Sequence, residues 1–391
     1  MAFLATLWTK TRLSILTPFV RLLRAIIVTL ARLAIENKPN PDVIQYIPSL
    51  STTTATSPTA KSETTIVAAA PVPTHEIKVH IYNPSPLPPS AIQAETPTET
   101  CDPKLKPTAS PSPVLITACG SGFIFPGLGL DASYCRLISS KAAHTVVDVE
   151  YRLAPEHPFP CAIEDFISVV TWVQSQPERF DTSRISIGGF SAGGNIAASV
   201  PANLFPPGTF ANLVLFYPVL DASISPKVKM ETFRADMENG GKGGSRKNPP
   251  LGGMGSVPAC LMKIMQACYL ESAVAEARAR PTSSCTGKDD NVSADAVLKD
   301  PRISPTYADA SRFPARCLFV TAEYDCLAKE AEDLGERIRA VDGDGEAGRT
   351  VIVRRVLGCG HQFDKGCKPG SEREKVRDEV YATVVDLLKG D

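Results

Sequence analysis

The chain reads as an α/β protein with a mostly parallel central sheet flanked by helices, and three observations carry that reading. From Val114 onward, short apolar runs alternate with helix-like segments. The runs are too brief for helices and lack polar alternation, as strands buried on both faces do. One of them, Ile185–Gly188, leads into Gly189-Phe190-Ser191-Ala192-Gly193, and a helix opens near Gly194.

Bulk composition is ordinary. At 391 residues, one large domain or two average ones are allowed, and 43% hydrophobic with 21% charged residues suffices for a sizeable core. A net charge of −1 supplies no whole-molecule field for nucleic acid. The 11 cysteines include no pair at metal-ligand spacing. Cys119, Cys161, Cys268 and Cys317 fall in apolar runs, which suggests buried free thiols and an intracellular, reducing setting. No metal site is expected from that spacing.

Taken in order, residues 2–34 are apolar but interrupted by Lys10, Arg12, Arg21, Arg24 and Arg32. A spanning helix needs about 20 nearly uninterrupted apolar residues, and no such stretch occurs. At about 100° per residue most of the basic residues share one face, opposite Leu4, Trp8, Ile15, Phe19, Leu22, Ile26 and Leu30. Pro18 should kink the segment. Three readings stand: peripheral contact with a membrane interface, a cap helix with its basic stripe facing water, or a signal-like anchor. The helical segment is assigned to 1–48 and a Ser/Thr/Pro-rich linker to 49–73. A catalytic domain is assigned to 74–391.

Within that domain, Glu76 to Tyr82 alternates as a half-exposed strand, and 84–113 reads as a Pro-rich surface insertion. Further strands are expected at Val114–Ala118, Thr145–Glu150, Ile185–Gly188, Leu213–Tyr217, Cys317–Thr321 and Val351–Val356. Helices are expected at about 161–176, 193–200, 327–340 and 372–389. The pattern lapses at about 222–299, where a helix-like piece at 259–280 follows a Gly-rich run; an inserted cap belongs there.

The chemistry centres on Ser191. A serine forced into a sharp strand-to-helix turn needs small residues two before and two after it, because the backbone crowds there. The following helix aims free amides at the serine, a setting suited to an oxyanion. Serine also needs a base to take its proton. Of His75, His80, His144, His157 and His361, only the last follows Ser191, in a loop after a late strand. That is the chain order of serine, acid and histidine on such a sheet. The acid should follow the strand Cys317–Thr321; Asp325 is the first choice and Glu323 the reserve. Asp325 could equally serve as an N-cap. Oxyanion amides are expected from Gly120 and Ser121, in the turn after Val114–Ala118, and from Ala192.

Three longer segments carry a family likeness: Tyr151-Arg152-Leu153-Ala154-Pro155-Glu156-His157-Pro158-Phe159-Pro160, Phe216-Tyr217-Pro218-Val219-Leu220-Asp221 and Asp300-Pro301-Arg302-Ile303-Ser304-Pro305. With the serine motif, they resemble the hormone-sensitive-lipase-like family of α/β-hydrolases, especially fungal-type members, over roughly residues 74–390. The resemblance implies an α/β-hydrolase fold with a helical cap and a cofactor-free carboxylic-ester hydrolase for small or medium acyl groups. The triad then falls on Ser191, Asp325 and His361. One departure is plain: the family's His-Gly-Gly-Gly is here Cys119-Gly120-Ser121-Gly122. Cysteine is a weak hydrogen-bonder and replaces the histidine incompletely. The expected partner is a small-molecule ester, with amide or lactone cleavage and a secondary-metabolite tailoring role left open. A different class also stands: a small-molecule-binding protein on a hydrolase scaffold, as gibberellin receptors are. Those receptors lose the histidine, whereas His361 is retained. Oligomeric state is not read from the sequence.

Overall fold

Eight strands form one sheet in the computed structural model, which describes residues 17–25, 38–50, 75–84, 110–240, 251–253, 255–279, 294–342 and 349–390. Most of the first 34 residues, of the 49–73 linker and of the 84–113 insertion lie outside these ranges, as does much of the Gly-rich run.

The strands are β1 (Val43–Pro48), β2 (Glu76–Tyr82), β3 (Ser112–Ala118), β4 (Thr145–Val149), β5 (Phe180–Phe190), β6 (Asn212–Phe216), β7 (Arg316–Tyr324) and β8 (Thr350–Gly360). Their order is β1-β2-β4-β3-β5-β6-β7-β8. The pairs β1–β2 and β2–β4 are antiparallel; every other neighbouring pair is parallel. The sheet therefore starts at Val43, ahead of the domain boundary expected at residue 74. β1 gave no sequence signal because it is an edge strand with Ile44 and Tyr46 exposed, held in place by pairing with β2.

Side chains alternate across the sheet with period two. Leu213, Leu215, Cys317 and Phe319 face one buried layer, while Val214, Phe216, Leu318 and Val320 face the other. The first layer is covered by α3 (Cys161–Gln174), α4 (Ala192–Asn203) and α8 (Ala328–Arg339), through Phe166, Val170, Ile196, Leu334 and Ile338. The second is covered by α2 (Ala132–Lys141) and α9 (Glu372–Lys389), through Tyr134, Ile138, Tyr381, Val384 and Leu388. Each such apolar side chain contributes about 1.5–3 kcal/mol on burial. α9 is also set locally. Ser371 Oγ accepts from the Glu374 amide, and Gly390 ends the helix at φ 91°.

Between β6 and β7 lie α5 (Pro226–Gly240), α6 (Ala259–Ala279) and α7 (Ala294–Leu298), the stretch where a cap was expected. Residues 17–25 form a further helix, α1. Its Val20 is buried, while Phe19 and Leu22 are 51% and 62% exposed. Arg24 turns toward the protein and pairs with Glu156, so the described part of the basic stripe does not simply face water. Phe19 and Leu22, of the opposite face, point outward instead. Polar backbone carbonyls on the body reward a guanidinium more than they would Leu22. Among the described residues, no helix is long and apolar enough to cross a membrane.

Candidate active site

β5 delivers Ser191 to the carboxyl edge of the sheet, and α4 begins at the next residue. Ser191 sits at φ 52°, ψ −114°, a strained conformation that a bulky neighbourhood would forbid. A Cβ on Gly189 would strike the Gly193 carbonyl, and one on Gly193 would strike the Ala118 carbonyl. Glycines at these two positions let β5, α4 and the end of β3 approach one another. The Ser191 amide donates to Phe216 O at 2.9 Å, and Ser191 O accepts from Asn195 at 3.1 Å, fixing the turn at both ends.

His361 comes from the end of β8. Its Nε2 lies 3.0 Å from Ser191 Oγ, and its Nδ1 lies 2.6 Å from Asp325 Oδ2. His361 and Asp325 are only 1% and 2% exposed. Thus three side chains far apart in sequence meet in one line, the acid and the histidine shielded from water and the serine facing a cavity. Asp325 Oδ1 also accepts the Leu327 amide at 3.2 Å, so the acid orders the turn entering α8 as well. Glu323, the reserve acid, is elsewhere: its Oε2 accepts the Gly358 amide at 2.6 Å. The other histidines are away from the serine. His75 Nε2 contacts Asp165 at 2.8 Å, and His144 Nδ1 donates to Ala142 O at 2.7 Å.

Gly120, Ser121 and Ala192 join Ser191 and His361 in the wall of one cavity of about 460 Å³. Among the described residues, no backbone acceptor takes the amides of Gly120 or Ser121. The rest of the lining is largely apolar, including Phe123, Phe125, Val219 and Ile224, with Met262, Met265 and Tyr269 from α6. Leu23 of α1 contributes to the same wall.

The turn from Cys119 to Phe123 is held from beneath by groups whose roles were not read from the sequence. Tyr151 OH donates to Cys119 O at 2.8 Å and lies 2.5 Å from Ser121 Oγ. Ser121 Oγ in turn accepts the Phe123 amide at 2.9 Å. The hydroxyl of the residue that replaces a family glycine is therefore used in the turn. Cys119 itself is buried, and burial, then the charges of Asp148 and Asp131, pushes its thiol well above the usual range. It stays a neutral thiol.

Behind His361, Tyr217 packs with ring centroids 4.6 Å apart and donates from OH to Asp364 Oδ1 at 2.7 Å. Asp364 Oδ2 accepts from Tyr381 at 2.9 Å and pairs with Lys365 at 2.7 Å. Burial alone would raise Asp364, but the Lys365 charge and these hydroxyls outweigh it and hold the carboxyl below the usual range. A fixed anion thus anchors the loop bearing His361. The only available signal was position: Tyr217 ends a strand run, and Asp364 follows the histidine by three residues.

Comparison with known proteins agrees with this architecture. Residues 115–240 match the family described as the alpha/beta hydrolase fold. The carboxylesterase EstE1, cloned from a metagenomic library, superposes with a TM-score of 0.61 at 24% identity, covering 94% of this chain and 97% of EstE1. The chain has the α/β-hydrolase fold.

Curated relatives match over shorter stretches. Esterase LipI of Mycobacterium tuberculosis is 41% identical over 96 residues, which is 24% of this chain and 30% of LipI. Gibberellin receptor GID1 of Oryza sativa is 38% identical over 100 residues, which is 24% of this chain and 28% of GID1. The chain therefore matches less than a third of the length of either relative. Among the described residues, no cluster of three or more His, Cys, Asp or Glu is placed to hold a metal ion.

Proposed function

We propose that this α/β-hydrolase is a serine esterase that cleaves a small or medium acyl ester through an acyl-enzyme. The observation that carries the reading is the unbroken line Asp325–His361–Ser191, at 2.6 and 3.0 Å, opening into an apolar cavity. With Asp325 ionised, His361 Nδ1 carries the proton and Nε2 is free to accept one. Ser191 Oγ attacks the ester carbonyl as Nε2 takes its proton. The amides of Gly120, Ser121 and Ala192 stabilise the oxyanion that forms. The imidazolium, steadied by Asp325, then protonates the departing alcohol. Water repeats the sequence on the acyl-enzyme, releasing acid and restoring Ser191.

The apolar lining supports an acyl group without charge, and α5 and α6 of the cap bound it. The similarity to GID1 supports a competing reading, a receptor that binds without turnover. The retained Ser191–His361 contact favours the esterase.

A fluorophosphonate probe separates the two. Wild type should label stoichiometrically, and Ser191→Ala should neither label nor show a burst with p-nitrophenyl esters. Equal labelling of both proteins refutes the assignment; tight binding of a small ligand without labelling points to the receptor reading.

A further inference from the structure

The N-terminal helix reaches the site through Arg24 and Leu23. Arg24 is 17% exposed, and its guanidinium fork spans three acceptors. Nε donates to Ile124 O, Nη2 to Ala154 O, and Nη1 to Glu156 Oε2 at 2.8 Å. Ile124 and Ala154 belong to two different turns. The first is the oxyanion turn, in which Ser121 O accepts the amides of Ile124 at 3.2 Å and Phe125 at 2.9 Å. The second is the segment after β4, whose Ala154 amide donates back to Phe123 O at 2.9 Å. Arg24 therefore staples the outer side of the oxyanion turn to its neighbour, opposite the Tyr151–Ser121 contact beneath.

That turn needs fixing. Gly122 and Phe123 both lie in the left-handed region, at φ 56° and 64°, and Phe123 is not a glycine. Such a conformation persists only when its surroundings over-determine it. The ring of Phe123 stacks on Tyr269 of α6 at 3.9 Å, its amide is held by Ser121 Oγ, and its carbonyl by Ala154. Arg24 secures the next carbonyl along. A planar fork presents donors in fixed, spread directions that fit two carbonyls and a carboxylate at once, whereas an ammonium is a compact point charge whose donors diverge from one atom. The adjoining Leu23 faces the cavity together with Ile224 and Leu130.

We infer that Arg24 is a positioning residue for the oxyanion turn, and that Leu23 beside it limits the length of acyl group the cavity accepts. This rests on the esterase reading. Residues 17–25 then act as part of the site, coupling the N-terminal segment both to the rate of acyl transfer and to substrate length.

The test uses the full chain, with active sites counted by fluorophosphonate titration and turnover measured on p-nitrophenyl butyrate and decanoate. Arg24→Ala should lower kcat per titrated site about tenfold, since small misplacement of a reacting group is costly. It should also raise the decanoate-to-butyrate ratio of kcat/KM about threefold or more as the wall loosens. Leu23→Ala should raise that ratio as well. Arg24→Lys keeps a charge near Glu156 and the helix in place, yet cannot serve both carbonyls, so it should fall between wild type and Arg24→Ala. Arg21→Ala removes only an exposed contact to Glu156 and should stay within about twofold of wild type. A lower melting temperature with unchanged kcat per site and unchanged length ratio would make Arg24 a mere tether and overturn the inference. If Arg24→Ala does not fold, wild-type values for Arg24→Lys overturn it. Failure of the wild type to label at all would instead remove the esterase reading, and this one with it.

Discussion

Asp325→Asn is the sharpest probe of how the site works, because it changes one atom and preserves shape. In the native protein Asp325 Oδ2 lies 2.6 Å from His361 Nδ1, and both side chains are almost fully buried. An ionised carboxylate can only accept, which places the proton on Nδ1 and leaves Nε2 bare, 3.0 Å from Ser191 Oγ. The substituted amide can instead donate to Nδ1, which moves the ring proton to Nε2, where it blocks acceptance from serine. The variant also loses the anion that faces the imidazolium. Opposite charges about 4 Å apart at an effective dielectric of about 20 attract by about 4 kcal/mol. Each 1.4 kcal/mol is roughly a factor of ten in rate, so this alone predicts a loss of about a thousandfold. The wrong tautomer brings the total to about 10⁴, the scale seen when the same change is made in a serine-protease triad. The assay is kcat/KM on p-nitrophenyl butyrate near neutral pH, normalised to titratable sites. Glu323→Gln is the comparison, because that carboxylate is engaged with the Gly358 amide; it should cost at most a few-fold. A loss under about tenfold for Asp325→Asn, or a larger one for Glu323→Gln, would refute the assignment of the acid.

Two further predictions concern the frame under the oxyanion turn. Tyr151→Phe removes the donor to Cys119 O and the partner of Ser121 Oγ, so stability should fall by about 1–3 kcal/mol and kcat per titrated site should fall with it; an unchanged thermal melt and turnover would contradict this. Asp148 is fully buried in β4 with its pKa pushed up to about 8, chiefly by burial and then by the Asp131 charge. Unfolded, the same carboxyl titrates near about 3.9, so between these values the native state holds a proton that the unfolded chain has released. Stability from this group is therefore complete below about pH 4 and is lost as pH rises toward 8, by up to about 1.4 kcal/mol per unit. Asp148→Asn should abolish that slope. Its stability relative to wild type, from denaturant melts, should grow by about 1.4 kcal/mol per unit between about pH 5 and 7, and parallel curves would sink the argument.

What was legible in the sequence was whatever is encoded locally. β2 and α9 fall at the expected residues because alternation in one and a capped helical run in the other suffice. Ser191 was legible because crowding at a strand-to-helix turn leaves a fixed pattern of small residues, and His361 because it alone follows the serine. β5 was expected only over Ile185–Gly188 but begins at Phe180. The polar stretch Asp181–Arg184 carries no apolar signal, and pairing of Phe180 with Ser112 of β3 draws it into the strand. α2 is only ten residues long, and its leading Asp131 makes no cap; that carboxylate pairs with Lys365 instead.

Only the tertiary structure separates Asp325 from Glu323, the one just past the end of β7 and the other on it. A break in register between Ala322 and Tyr324, at the end of β7, sends them to different partners, one to His361 and the other to Gly358. Only it could turn Arg24 away from solvent, because the acceptors that hold it, at Ile124, Ala154 and Glu156, come from loops far along the chain. Spacing records what a short segment can do by itself. Which segments meet is decided by the packing of both faces of the sheet, and the parts of this site that hold the reactive groups in place were settled there.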